Sequence, residues 1–252
     1  MPSDPKIRLD RILAERGLAP SRERAQALVM AGLVDVNGVR EDKPGKLITP
    51  DARVEVRGAD HPYVSRGGVK LAGALEALGV DPAGLRCLDV GQSTGGFTDC
   101  LLQRGAAHVV GVDVGYGQLD WKLRADPRVT VIERTNARAI TPEVVGDPVD
   151  LAVIDVSFIS LRLILPAVAA CVKTGGRILA MVKPQFEVGR ERVGAGGVVR
   201  DESARREAID AVRAFGRDTL GFELAGEADS PIEGPSGNRE TFVLFVLCAS
   251  RS

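Results

Sequence analysis

The sequence predicts a two-part α/β protein: a small N-terminal α+β module followed by a larger domain built on a mostly parallel sheet. Three observations carry this expectation. From Val69 onward, short apolar runs alternate with helical patterns, and two runs, LAVID (151–155) and RILAMV (177–182), are apolar almost throughout. Strands of that kind belong in a parallel sheet with helices on both faces. The stretch RCLDVGQSTGGFTDC (86–100) reads as a strand, a glycine turn and the start of a helix, the arrangement with which open α/β sheets form a ligand crevice at the carboxyl ends of their strands. Residues 1–60 follow a different pattern, with two short amphipathic helices and a hairpin signal.

In chain order, Arg8–Arg16 places Leu9, Ile12 and Leu13 at helical spacing until Gly17 breaks it. Ser21 is a suitable N-cap for a second helix, with Ala25, Leu28 and Val29 inward, ending at Gly32. LVDVNGVRE (33–41) alternates and carries an Asn-Gly two-residue turn, and a further alternating strand follows at Arg53–Arg57. Residues 61–68, within the Pro-, Ser- and Gly-containing stretch GADHPYVSRGG, read as a linker, and 69–252 as the second domain. There Lys70–Leu78 is helical, with Leu71, Ala74, Leu75 and Leu78 inward. Strands are expected near Cys87–Gly91, Val109–Asp113, Val129–Glu133, Leu151–Asp155 and Arg177–Lys183. Helices are expected at Phe97–Arg104, Leu119–Ala125, Leu161–Val172 and Ser203–Thr219. FELAGEA and TFVLFVLC are separated only by SPIEGPSGNRE, too short for a crossover helix, so they should pair antiparallel and close the sheet.

Composition narrows the function. Hydrophobic residues make up 44% and charged residues 27% of 252 residues, ordinary values for a globular protein with ample core. A net charge of −1 gives no global sign of a nucleic-acid partner, so any such sign must be local. It is present in Lys6–Arg24, where Lys6, Arg8, Arg11, Arg16, Arg22 and Arg24 meet only Asp10, Glu15 and Glu23. That excess suits either a phosphate backbone or a solvated helix face. Cys87, Cys100, Cys171 and Cys248 form no CxxC pair, and with only His61 and His108 besides, no metal centre is expected. The longest apolar run, Leu163–Val172, is about half a membrane span and contains Pro166. No signal peptide is recognised, and a cytoplasmic location is expected.

The glycine turn points to a ligand. Its spacing, Gly91-x-x-x-Gly95-Gly96, lacks the middle glycine of the dinucleotide fingerprint. Asp113 ends the next strand, 22 residues after Gly91, where it could accept hydrogen bonds from both hydroxyls of a ribose. Asp89, expected at the pocket wall, would repel a pyrophosphate and favour a cation such as the sulfonium of S-adenosylmethionine. A mostly parallel sheet closed by an antiparallel hairpin likewise resembles the Rossmann-like fold of S-adenosylmethionine-dependent methyltransferases. Signatures of other methyl transfers are missing: there is no Pro-Cys nucleophile and no Asn/Asp-Pro-Pro-aromatic turn, the corresponding strand end being Asp155-Val-Ser-Phe158.

Two resemblances sharpen the reading. RLDRILAERGLAPSRERAQALVMAGLVDVNGVR resembles the S-four-type, or αL, RNA-binding domain, which implies RNA contacts at Arg8, Arg11, Ser21, Arg22 and Arg24. The ordered set YVSRGGVKL, GQSTGGFTDCLLQRGA, DVGYGQL, ERTNAR, DVSFISL, VKPQFEVG and GPSGNRE resembles the TlyA family, ribosomal RNA 2′-O-methyltransferases with an FtsJ-like catalytic domain, some labelled haemolysins. That resemblance implies a catalytic tetrad of Lys70, Asp155, Lys183 and Glu240. It also implies S-adenosylmethionine binding by Gly91, Ser93, Thr94, Gly95, Gly96 and Phe97, with Asp113 on the ribose and Asn136 near the adenine. Ribosomal RNA is the implied partner and cytidine ribose the implied target. Gln92 departs from the small residue expected in the turn.

Chemistry gives the tetrad a purpose. A ribose 2′-hydroxyl attacks a methyl group only as its proton is removed, and a neighbouring cation with partial burial can bring a lysine towards that task. Taken singly, the four residues also suit a surface lysine, a capping acid, a strand-end charge and a turn charge. The loop after Lys183, with Arg190, Arg192 and Arg200, reads as a mobile cover that could hold an RNA backbone. A nucleotide-dependent oxidoreductase and a non-enzymatic RNA-binding or cytolytic protein stand as alternatives.

Overall fold

The structure is a computed structural model and describes residues 6–19, 21–30, 32–56 and 61–248. Arg57 and residues 58–60 of the expected strand end and linker stretch lie outside the described residues. The chain divides into two compact units, Met1–Pro62 and Tyr63–Ser252.

In the first unit the elements are β1 (Ile7–Arg8), α1 (Leu9–Glu15), α2 (Arg22–Met30), β2 (Val34–Val36), β3 (Val39–Glu41), β4 (Leu47–Ile48) and β5 (Val54–Val56). Leu9, Ile12 and Leu13 pack with Ala25, Val29, Val34 and Val54 in one small core, as the spacing predicts. Asn37 and Gly38 both take positive φ, 53° and 78°, which fits the β2–β3 turn. β2 lies between β3 and β5, antiparallel to both.

The second unit runs α3 (Arg66–Ala77), β6 (Arg86–Val90), α4 (Gly96–Gln103), β7 (His108–Val112), α5 (Trp121–Arg124), β8 (Val129–Ile132), α6 (Pro142–Val145), β9 (Val149–Ile154), α7 (Leu165–Ala169), β10 (Val172–Val182), α8 (Pro184–Glu187), α9 (Glu202–Ala214), β11 (Glu223–Asp229) and β12 (Thr241–Val246). α3 begins at Arg66, inside the stretch expected as linker, and Tyr63 and Val64 pack against the core of this unit. The seven strands are ordered β11-β12-β10-β9-β6-β7-β8, with β12 antiparallel to both neighbours and the pairs from β10 to β8 parallel. Side chains alternate across the sheet. Leu88, Val110, Ile154, Ile178 and Phe245 face one core, while Cys87, Val109, Val153, Leu179 and Phe242 face the other.

Register positions the site. β6, β7, β9 and β10 end at Val90, Val112, Ile154 and Val182, and the next residues are Gly91, Asp113, Asp155 and Lys183. Because β12 runs the other way and Thr241 pairs with Val182, Glu240 arrives at the same sheet edge from the opposite direction.

Some elements differ from expectation. The helix expected over Leu161–Val172 is a 3₁₀ turn, Leu161–Leu163, and the short α7 with Pro166 in its first turn. Val172 already pairs with Val149, and the ladder shifts between Val172 and Arg177, where Gly175 takes φ 77°. α9 is capped by Asp201 and widens at Phe215–Thr219 into a π turn, in which Gly216 leaves room for the Phe245 ring. The glycine-rich segment after Lys183 is anchored at its far end. Buried Asn238 accepts from the Val199 N–H at 2.9 Å and donates to the Gly197 carbonyl at 2.8 Å.

Candidate active site

The four lysine and carboxylate residues singled out from the sequence line one cavity of about 430 Å3. They form two ion pairs. Lys70 Nζ, on α3, lies 2.5 Å from Glu240 Oε2, and both side chains are buried. Lys183 Nζ lies 2.5 Å from Asp155 Oδ1 and donates to Ser157 Oγ at 3.0 Å. Glu240 fits because residue 234 is glycine; a Cβ there would press on Glu240 Oε1. Gly91, Ser93, Asp155, Ser157 and Phe158 also line a second cavity of about 560 Å3, so the two spaces share a wall.

That second cavity holds Asp113, Gln118, Thr135 and Asn136, with carboxylates from Asp113 and Asp155 and no lysine or arginine in its lining. A partly apolar lining with two carboxylates and without cations suits a nucleoside carrying positive charge and does not suit a pyrophosphate. Asp113 is oriented by the backbone: its Oδ2 accepts from the Ser93 N–H and its Oδ1 from the Gly115 N–H, each at 2.7 Å. Each oxygen keeps a lone pair for a further donor. Gly91 takes φ 91°, and a Cβ there would collide with the Asp155 carbonyl, so the turn approaches β9 as only glycine allows. Ser93 is left-handed as well, at φ 47°, and exposed on the rim. Thr94 and Gly96 line the first cavity, and Gly95 packs over Leu119 and Leu123. Asn136 Oδ1 is already used, capping the turn at Ala137–Ala139 through the Arg138 N–H at 3.0 Å.

Three side chains in or beside the turn are buried. Phe97 is 3% exposed, packs on Phe242 in the core and also lines the first cavity. Gln92 is buried: its Nε2 donates to Thr98 Oγ1 at 3.0 Å, in space left by the missing side chain of Gly111. Asp89 is fully buried and absent from both cavity linings, with Oδ2 accepting from Thr98 Oγ1 at 2.6 Å. The structure therefore takes Asp89 off the pocket wall and makes it the floor of the turn.

Burial pushes the Asp89 carboxyl up to about 7, against the Thr98 hydrogen bond and helped by the nearby Asp155 and Asp113 charges. An acid raised above its unfolded value contributes stability that is complete below about pH 4 and is lost as pH rises through about 7. Asp89→Asn cannot ionise. Its stability relative to wild type should improve steadily between pH 4 and pH 8, measured by urea unfolding at each pH. A constant difference would mean that Asp89 ionises as readily folded as unfolded.

Phe158 was missed by residue pattern. It takes φ 65° and is 91% exposed, on the rim of both cavities with its ring 5.1 Å from that of Phe186. Backbone strain and an exposed ring in one residue are signals only coordinates carry.

The basic residues fall into two groups. In the N-terminal unit, buried Asp10 accepts from Arg8 at 2.8 Å and from Gln26 at 2.8 Å, and pairs with Arg22 at 3.2 Å. Arg8 holds the Asp10 carboxyl well below the usual carboxylate range. Asp10 thus fastens α1 to α2 and fixes two of the expected RNA contacts. Arg11 pairs with exposed Glu15, Arg24 is exposed, and Ser21 Oγ caps α2 at 3.2 Å. In the second unit, Arg190 is exposed, whereas Arg192 is held by Glu207 and Asp201 of the α9 region.

The description FtsJ-like methyltransferase matches residues 63–247, and an S4 domain matches residues 7–54. A Mycobacterium tuberculosis relative named 16S/23S rRNA (cytidine-2′-O)-methyltransferase TlyA is 51% identical over 94% of this chain and 89% of its own length. The chain belongs to the TlyA family of FtsJ-like methyltransferases. Hemolysin A of Brachyspira hyodysenteriae is 38% identical over 96% of this chain and all of its own length. A solved structure from Streptococcus thermophilus that carries the hemolysin name has 45% identity and a TM-score of 0.76, covering 98% of this chain and 90% of that one. Among the described residues no helix is long and apolar enough to cross a membrane.

Proposed function

We propose that the protein transfers a methyl group from S-adenosylmethionine to the ribose 2′-oxygen of a cytidine in ribosomal RNA. The observation that carries this reading is the shared wall: two lysine–carboxylate pairs stand in one cavity, directly beside a second cavity that holds two carboxylates and no cation. The name of the M. tuberculosis relative supports cytidine ribose as the target.

The roles follow from placement. When bound, S-adenosylmethionine supplies an electrophilic methyl on a cationic sulfur. The Asp113 carboxylate, preset by two N–H groups, would hold the ribose hydroxyls of that cofactor, and Asn136 with the segment after Thr135 would border its adenine. Lys183, once its ammonium has released a proton to solvent, accepts the proton of the RNA 2′-hydroxyl, with Asp155 and Ser157 fixing its amine beside the wall that the two cavities share. The Lys70–Glu240 pair lines the same cavity, with Glu240 beside the strand end that carries Lys183. Phe158 offers an exposed face on which the base of the target nucleotide stacks.

The test is direct. Ribosomal subunits lacking the modification are incubated with the protein and labelled S-adenosylmethionine, then digested to nucleosides for mass analysis. Label in 2′-O-methylcytidine is expected; label on a base, or none, overturns the reading.

Two component predictions arise here. Asp113→Ala should weaken S-adenosylmethionine by at least about tenfold by calorimetry, because charge-assisted hydrogen bonds are worth roughly 1.5–3 kcal/mol each. Equal affinity would place the ribose elsewhere. For the N-terminal unit, Arg11→Gln with Arg24→Gln should flatten the salt dependence of RNA binding by about two units of slope. Arg8 and Arg22 are unsuitable for that test, since removing them strands the buried Asp10 charge. An unchanged slope would take these two cations off the RNA path.

A further inference from the structure

We infer that Glu187 is a positioning residue that latches the segment after β9 to the segment after β10 and so keeps Asp155 and Lys183 in one arrangement, an inference that rests on the reaction proposed above. The β9–β10 register is last paired at Ile154 and Ala180. Beyond that point the two segments carrying the Asp155–Lys183 pair need another fastening. Glu187 supplies it, one short turn after Lys183 on α8. Its Oε2 accepts from Ser160 Oγ at 2.6 Å and its Oε1 from the Leu161 N–H at 2.7 Å, while Arg162 Nε lies 3.7 Å from Oε2. The Glu187 side chain is 1% exposed.

A carboxylate buried to that degree is costly unless its oxygens are satisfied, and here both are, by the far end of the loop that begins at Asp155. Burial raises the Glu187 carboxyl, against the bonds from Ser160 and Leu161 and the charge of Arg162. Inside the latched loop lie Ser157, which receives the Lys183 hydrogen bond, and Phe158, whose left-handed backbone persists only if its surroundings hold it. The Phe158–Phe186 ring contact bridges the same two segments. Release of Glu187 lets the loop relax, and Asp155, Ser157 and Phe158 shift relative to Lys183. Displacement of a reacting group by about 1 Å is enough to slow a reaction about 100-fold.

Four variants of the full chain test this: Glu187→Ala, Glu187→Gln, Ser160→Ala and the Ser160→Ala/Glu187→Ala double. Single-turnover methylation should slow by about tenfold to 100-fold in Glu187→Ala, with S-adenosylmethionine affinity within about twofold of wild type. Glu187→Gln should recover most of that loss, because its amide oxygen accepts from Leu161 and the Ser160 hydroxyl can turn to accept from the amide. The double variant should be no slower than Glu187→Ala, since the Ser160–Glu187 contact is already lost in that single variant. Hydrogen exchange should speed up across residues 158–163 in Glu187→Ala. A rate within about twofold of wild type, unchanged exchange, or parallel loss of rate and cofactor affinity in Glu187→Gln would overturn the latch. Failure of the wild-type protein to methylate RNA would instead sink the proposed reaction, and the exchange arm would still decide the latch.

Discussion

Lys183→Arg should bind S-adenosylmethionine as the wild type does and transfer methyl groups about 10²–10⁴ times more slowly, the usual worth of a positioned general base. The substitution is discriminating because of where Lys183 stands. Its ammonium touches Asp155 and Ser157, and a guanidinium could keep both contacts. It would also keep the positive charge, but it cannot release a proton near neutral pH. A lysine that only attracts phosphate or anchors Asp155 would therefore tolerate arginine. Lys183→Met removes the amine while keeping the length of the stem, and should be equally slow. Because the proton moves only in the transition state, RNA and cofactor affinities should change far less than the rate. Single-turnover kinetics with saturating S-adenosylmethionine measures this. An arginine variant within a few-fold of wild type would leave Lys183 a positioning charge.

The sheet was legible because its strands are apolar where both faces are covered and because each ends immediately before a residue of a different character. Gly91, Asp113, Asp155 and Lys183 all follow apolar runs, and parallel register brings such endings to one edge. Glu240 could be placed there because the closing hairpin reverses direction. Residues whose meaning depends on a distant partner stayed hidden. Asp89 lies one residue before the end of β6, yet it points under the turn, where Thr98 donates to it and Gln92 in turn donates to Thr98. Gln92 looked out of place until Gly111, on the neighbouring strand, proved to be its space. In the same way Asp10 reads as one more surface charge beside Arg8, and only the packing of α1 on α2 shows it buried under Arg8 and Arg22. The loop after Lys183 reads as glycine-rich punctuation, and nothing local shows that its far end, at Val199, is bonded to Asn238 39 residues further on. Period and punctuation reveal strands and turns, but a buried polar bond over long sequence separation leaves no local pattern.

Lys70→Met and Glu240→Leu should each destabilise the protein by about 3–5 kcal/mol, the cost of leaving one charge of a buried pair without its partner. Both side chains are nearly sealed from solvent, and the ammonium lies 2.5 Å from the carboxylate. The double variant should recover much of that loss, since two apolar groups of similar size require no mutual compensation. Activity should behave differently. Methyl transfer by folded enzyme should remain at least about 100-fold below wild type in the double variant, because the charged pair that lines the same cavity as Lys183 and Asp155 is then gone. Neighbouring contacts support the site without substituting for it. Arg205 donates to Thr241 at 2.7 Å and to the Arg239 carbonyl at 3.3 Å, fastening both residues that flank Glu240. Urea unfolding of the four proteins, with single-turnover rates taken well below each midpoint, separates the two effects. Singles as stable as wild type would mean the pair is solvated in solution. A double variant with restored activity would make Lys70 and Glu240 scaffolding, and the chemistry would rest on Asp155 and Lys183 alone.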